Sequence, residues 1–271
     1  MVSRPSRSIA WTKPLGRAAW GLMLRAIAAP ALLLAAGSPV AAQGSSNSIL
    51  IWPVNPVITA DVRAAALWLE NPGKTPKTLQ VRIFAWSQAG GENGYSAQDV
   101  ILATPPIVTI AAGSKQLVRI TRTRETAPGR EDPYRIVVDE VPVAGATQQA
   151  GAAVSFRMRY SIPLFVYGAG ALPVAGEVKQ GPQPKLVWRV INAGAERHLE
   201  IRNDGPVHAR LTEMAFRPSS GPASALNQGL WGYVLPGETM RWKLQPEVVV
   251  GDQLVGSSNG GPATRLEPRT D

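Results

Sequence analysis

Downstream of Ser48 the chain is written in short runs of β-branched and aromatic residues broken by Gly, Pro and Asn, and apolar positions almost nowhere recur at a helical spacing. The pattern predicts antiparallel β-structure. Strands are expected near residues 49–52, 63–70, 78–86, 107–110, 115–122, 134–141 and 154–166, with turns at Asn71-Pro72-Gly73-Lys74, Ala112-Gly113-Ser114 and Pro128-Gly129. Seven such strands make one sandwich, assigned to residues 48–168. The small residues of Gly168-Ala169-Gly170-Ala171-Leu172-Pro173 then mark a joint. A second β domain, residues 173–250, is expected to use strands near 186–192, 198–203, 208–217, 232–235 and 239–244, separated by Asn203-Asp204-Gly205-Pro206 and Pro236-Gly237. The Gly-, Ser- and Pro-rich stretch 251–271 is expected to be a flexible tail. The fold class is therefore all-β, two immunoglobulin-like sandwiches of ~100 residues each.

The first residues stand apart from this pattern. Arg4, Arg7, Lys13, Arg17 and Arg25 precede an apolar run over 26–36, and Val40-Ala41-Ala42 fits a small-x-small cleavage site, so residues 1–42 are read as a cleaved secretory signal. No later stretch is long and apolar enough to span a bilayer. The signal holds 5 of the 28 Lys+Arg and none of the 19 Asp+Glu, so the remainder carries 23 against 19, a net +4 rather than +9. That modest excess is scattered, with no block of like charge, and nucleic acid is not expected as a partner. There is no cysteine, which excludes disulfides, thiol catalysis and thiolate metal sites.

The cleanest alternation in the chain is Val154-Ser155-Phe156-Arg157-Met158-Arg159-Tyr160-Ser161-Ile162. Large apolar side chains fall on one face and polar ones on the other. An ordinary core-facing strand would look the same. This strand, however, is the last of its domain and follows a loop of small residues, 144–153, which favours an edge position. An apolar edge left open points to deliberate pairing with another polypeptide.

Specific segments carry a resemblance. They are Ile51-Trp52-Pro53-Val54, Ala66-Leu67-Trp68-Leu69-Glu70-Asn71, Ala103-Thr104-Pro105-Pro106 with Ala112-Gly113-Ser114-Lys115-Gln116-Leu117-Val118-Arg119, Tyr134-Arg135-Ile136-Val137-Val138-Asp139-Glu140-Val141-Pro142, and Met158-Arg159-Tyr160-Ser161-Ile162-Pro163-Leu164-Phe165-Val166-Tyr167. The chain resembles the PapD-like periplasmic chaperones of the chaperone–usher pathway, nearest their archaic branch. The resemblance implies an L-shaped pair of immunoglobulin-like domains, a periplasmic location, and partners in pilin subunits and an outer-membrane usher, with no cofactor. It implies that Val154, Phe156, Met158, Tyr160 and Ile162 form a strand donated to an incomplete subunit, and it leaves open self-association through that strand. The basic pair that anchors the subunit carboxylate in other members falls on Asn55 and Pro163 here. Arg135 and Arg159, with Arg119 third, are the replacement candidates, since a guanidinium holds a carboxylate by two hydrogen bonds. Glu140 matches a family glutamate that fixes the angle between domains.

An enzyme is not expected. No Gly-x-Ser-x-Gly segment or histidine-rich metal pattern is present, and adjacent Asp139 and Glu140 point to opposite faces of a strand. His198 and His208 read as surface histidines, and Trp86 and Trp231 as core residues rather than stacking platforms. The rival readings are a two-domain pilus or adhesin component and an extracellular ligand-binding module.

Overall fold

In the computed structural model, which describes residues 48–141, 157–171 and 181–269, every regular element is a strand. Ten precede the joint: β1 (Leu50–Trp52), β2 (Val57–Ile58), β3 (Ala64–Glu70), β4 (Lys77–Ala89), β5 (Glu92–Ser96), β6 (Ile101–Thr104), β7 (Ile107–Ile110), β8 (Lys115–Arg122), β9 (Glu131–Val141) and β10 (Arg159–Tyr167). They build two sheets, ordered β1-β3-β8-β6 and β2-β10-β9-β4, with β5 and β7 both alongside β4. The chain changes sheet twice within a few residues, between β1 and β2 past Pro53 and Pro56, and between β6 and β7 past Pro105 and Pro106. Proline has no N–H to give a ladder, so a strand interrupted by it can leave one sheet and join the other at little loss. Alternation sets the core between the sheets: Leu67, Leu69, Val118 and Ile120 from one meet Leu79, Val81, Ile136, Val138, Ile162, Leu164 and Val166 from the other.

The second sandwich has β11 (Leu186–Ala193), β12 (Glu196–Asn203), β13 (Ala209–Arg217), β14 (Ser224–Ala225), β15 (Leu230–Val234), β16 (Thr239–Lys243), β17 (Gln253–Ser258) and β18 (Thr264–Pro268). Both sandwiches close a turn with a fully buried asparagine. Asn71 donates to the carbonyls of Thr75 and Ile110 at 2.8 and 3.0 Å, and Asn203 to those of Val207 and Val234 at 2.7 and 3.1 Å. Each amide also accepts a backbone N–H two residues on, from Gly73 and Gly205, which is why these turns carried so clear a sequence signal.

The expected flexible tail is a correction. Residues 253–268 form two strands, and β18 joins the halves of the second sandwich by pairing antiparallel with β17 and parallel with β11. Leu254 and Leu266 are buried in the core. The Trp188 indole N–H donates to the Leu266 carbonyl at 3.1 Å, and the Arg269 N–H to the Trp188 carbonyl at 2.7 Å. The glycine that suggested flexibility serves packing instead: a Cβ on Gly256 would lie 2.1 Å from the Met214 sulfur.

Burying a leucine is worth roughly 1.5–3 kcal/mol, and removing β17 and β18 forfeits two of them together with the ladder between half-sheets. A chain ending at Val250 should lose cooperative melting of the second sandwich by calorimetry, whereas one ending at Arg269 should melt like the whole protein.

Candidate functional site

β10 pairs antiparallel with β9 along its whole length, from Arg159 opposite Asp139 to Tyr167 opposite Glu131. On its other side β2 reaches only Phe165 and Val166. From Arg159 to Leu164 that outer backbone edge has no strand partner among the described residues. Ile162, Leu164 and Val166 point into the core, Tyr160 is half-buried, and Met158 is 40% exposed. The row that seals the core near the joint thus runs out of cover at the other end. The Tyr160 hydroxyl accepts the Ile49 N–H at 2.8 Å, linking the row to the chain entering β1 at the edge of the facing sheet. Val154 and Phe156, the rest of the expected row, lie outside the described residues.

The opposite face of the same sheet carries the arginines. Arg159 and Arg82 both hold Asp139, at 2.5 and 2.6 Å. Burial works to raise the Asp139 pKa, but the hydrogen bonds from Arg159 and Arg82 outweigh it and keep the carboxyl below its usual value. Arg159 is therefore already paired, and it lies four residues before Pro163 on β10. Arg119 is exposed on β8, in the other sheet. Neither is brought to Arg135.

Arg135 sits on β9 opposite Pro163. Its guanidinium lies 3.8 Å over the Trp86 ring and 5.3 Å from that of Tyr233 in the second sandwich. Burial pulls its pKa below the usual arginine value, partly offset by Tyr95 and Tyr233. Its Nε is buried without a hydrogen-bond partner, and no carboxylate pairs with it among the described residues. A guanidinium supported on aromatic faces, with a donor still unused, suits an incoming anion.

Glu140 is a second correction. It is not at the joint but at the far end of β9, bound at 2.6 Å to the buried Lys77. At ~3.3 Å per residue this places it about 30 Å along the strand from Glu131, the glutamate that does reach the second sandwich. Glu131 is buried and takes the His208 N–H at 3.2 Å and, with its other oxygen, His208 Nδ1 at 2.8 Å. It also engages the Tyr167 hydroxyl, whose pKa is raised by burial and by that carboxylate. His208 stacks on Phe165 with ring centroids 3.5 Å apart and planes 1° from parallel, so it is no surface histidine. Trp86, 4% exposed, packs with Phe165, Tyr167, Val207 and Leu235 in an apolar cluster that spans both sandwiches. The Gln88 amide completes the joint by donating to the Tyr233 carbonyl at 3.0 Å and accepting the Leu235 N–H at 2.8 Å, as a neighbouring strand would.

Sequence reasoning missed Gln88, Glu131 and His208, whose partners are 77 to 147 residues distant. One signal was available. The polar face of β10 changes from Arg159 and Ser161 to Phe165 and Tyr167, which marks a second buried surface beginning at the joint.

Two kinds of similarity place the chain among known proteins, one of sequence family and one of solved structure. Residues 50–170 match the family described as pili and flagellar-assembly chaperone, PapD N-terminal domain. The chain is similar, at 33% identity and a TM-score of 0.69, to a chain of the CsuC–CsuE chaperone–tip adhesion subunit pre-assembly complex from archaic chaperone–usher Csu pili of Acinetobacter baumannii, covering 82% of this chain and 100% of that one. The YadV chaperone (20% identity, TM-score 0.55, 80% of this chain and 99% of that one) and the E. coli chaperone DraB (18%, 0.53, 83% and 97%) share the fold. No curated protein matches the chain.

The depressed Asp139 carboxyl fixes a pH dependence. Its stabilisation is fully present above the unfolded value near pH ~3.9 and is lost as pH falls through the lower folded value. Urea unfolding at a series of pH values should show a shallower acid limb for Asp139→Asn than for the unchanged protein.

Proposed function

The chain belongs to the PapD-like pilus-assembly chaperones, and from that premise we propose that it captures pilin subunits in the periplasm, after export by its N-terminal signal, by lending them β10. The observation that carries this reading is the half-open edge: a backbone ladder with no strand partner among the described residues from Arg159 to Leu164, beside an apolar row that passes from buried Ile162 through Tyr160 to exposed Met158. A pilin whose immunoglobulin-like fold lacks one strand has a groove that such a row can fill, with Phe156 and Val154 continuing it. Each large side chain buried there is worth roughly 1.5–3 kcal/mol before ordering costs, and the ladder sets the register. Delivery to an outer-membrane usher then needs only exchange of β10 for a better-fitting strand. The protein acts by binding rather than by catalysis.

Arg135 is the anchor for the subunit's terminal carboxylate. It stands next to β10 near the joint and has an unused donor, while Arg159 is held by Asp139 and Arg119 faces away on the other sheet.

Co-expression with the pilin from the same gene cluster tests strand donation. A Phe156→Asp, Met158→Asp double variant that stays folded should yield no soluble one-to-one complex while the unchanged protein does, and equal recovery would refute the assignment. Arg135→Ala should weaken capture by about 10- to 100-fold, the worth of a charged hydrogen-bonded contact, and undiminished capture would remove Arg135 from the anchor role.

A further inference from the structure

Pro163 lacks a backbone N–H, and its effect depends on the side of β10 toward which that donor would have pointed. Along a strand in an antiparallel ladder, successive residues turn their N–H and C=O groups to opposite neighbours. The Met158 carbonyl accepts the Glu140 N–H at 3.2 Å, so even-numbered residues of β10 serve the ladder with β9. Arg159, Ser161 and Pro163 therefore direct their backbone groups outward. Phe165 has the same parity and stands opposite Val57 of β2 on that outer side. Pro163 thus removes no bond between β9 and β10; it removes one donor from the open edge.

A strand laid along that edge finds both a donor and an acceptor at Arg159 and at Ser161, an acceptor alone at Pro163, and β2 already in place from Phe165. We propose that Pro163 is a register stop that fixes how far a captured subunit strand runs toward the joint, an inference that rests on strand donation by β10. The alternating row alone cannot do this. It forbids a slip of one residue, which would turn the apolar side chains to the wrong face, but a slip of two keeps every face correct. A two-residue slip toward the joint leaves a carbonyl against Pro163 with no N–H to meet it and drives the strand's end into β2. Arg135 lies directly across the ladder from Pro163, so the stop and the candidate carboxylate anchor stand at the same level on the sheet.

The chain has no cysteine of its own, which makes disulfide trapping a direct readout of register. Ser161→Cys would be co-expressed with the cognate pilin carrying single cysteines at successive positions of its C-terminal strand, in the presence and absence of Pro163→Ala. With Pro163, trapping at one position should exceed that two residues away by about three- to tenfold, the worth of one ladder bond. With Pro163→Ala the two should become comparable, while the free variant keeps its melting temperature because the β9 ladder is untouched. The same single dominant position in both backgrounds would overturn the register stop and leave strand donation standing. No trapping in either background would overturn strand donation, and the stop with it.

Discussion

The structure turns on one strand that must satisfy two neighbours of different kinds. β10 gives all of one edge to β9, but among the described residues its other edge meets a strand only where β2 pairs with Phe165 and Val166. An uncovered edge is ordinarily a hazard, because its N–H and C=O groups template pairing with any extended chain. Here it coincides with the place where the core itself loses its lid, at Tyr160 and Met158. Backbone and side chains ask for the same thing at the same place, another strand with apolar residues on one face.

The other end of β10 is fixed with corresponding firmness. Phe165 and Tyr167 are wedged into the cluster between sandwiches, and the Glu131 carboxylate collects donors from His208 and Tyr167. A buried carboxylate with several hydrogen bonds is tolerable, and removing one partner would leave the rest uncompensated. Gln88 adds a polar contact that imitates a sheet ladder without extending either sheet. The joint therefore holds β10 at its base, and Arg135, which touches Trp86 and Tyr233 at once, senses both sandwiches.

Much of this was legible in the sequence, for identifiable reasons. Strands with strict alternation were placed to within a few residues, Ile107–Ile110 and Lys115–Arg122 at their observed bounds, because period two and turn chemistry are local properties. The asparagine turns were legible because Asn71 and Asn203 bond within a few residues of themselves. Short strands with mixed composition, such as Glu92–Ser96, were not. Residues 253–268 misled because Gly256 is small for close packing rather than for freedom, and only Leu254 and Leu266 advertise the core. At the site, the direction of the apolar row was readable, but the partners of Glu140 and His208 were not, since both depend on strands far apart in the chain, and that of Arg159 was not, since it needs the exact register of β9 against β10.

The bridging role of β18 bears on the order in which the molecule can become itself. A polypeptide emerges N-terminus first, and domains generally fold as units in that order. Every described strand of the first sandwich is present once Tyr167 is available, while the second still lacks the piece that unites its halves until Pro268 has followed. The joint draws His208, Tyr233 and Leu235 from that later half. During emergence there is thus an interval in which the lending strand is finished but its base is unclamped, and closure of the last few residues ends it.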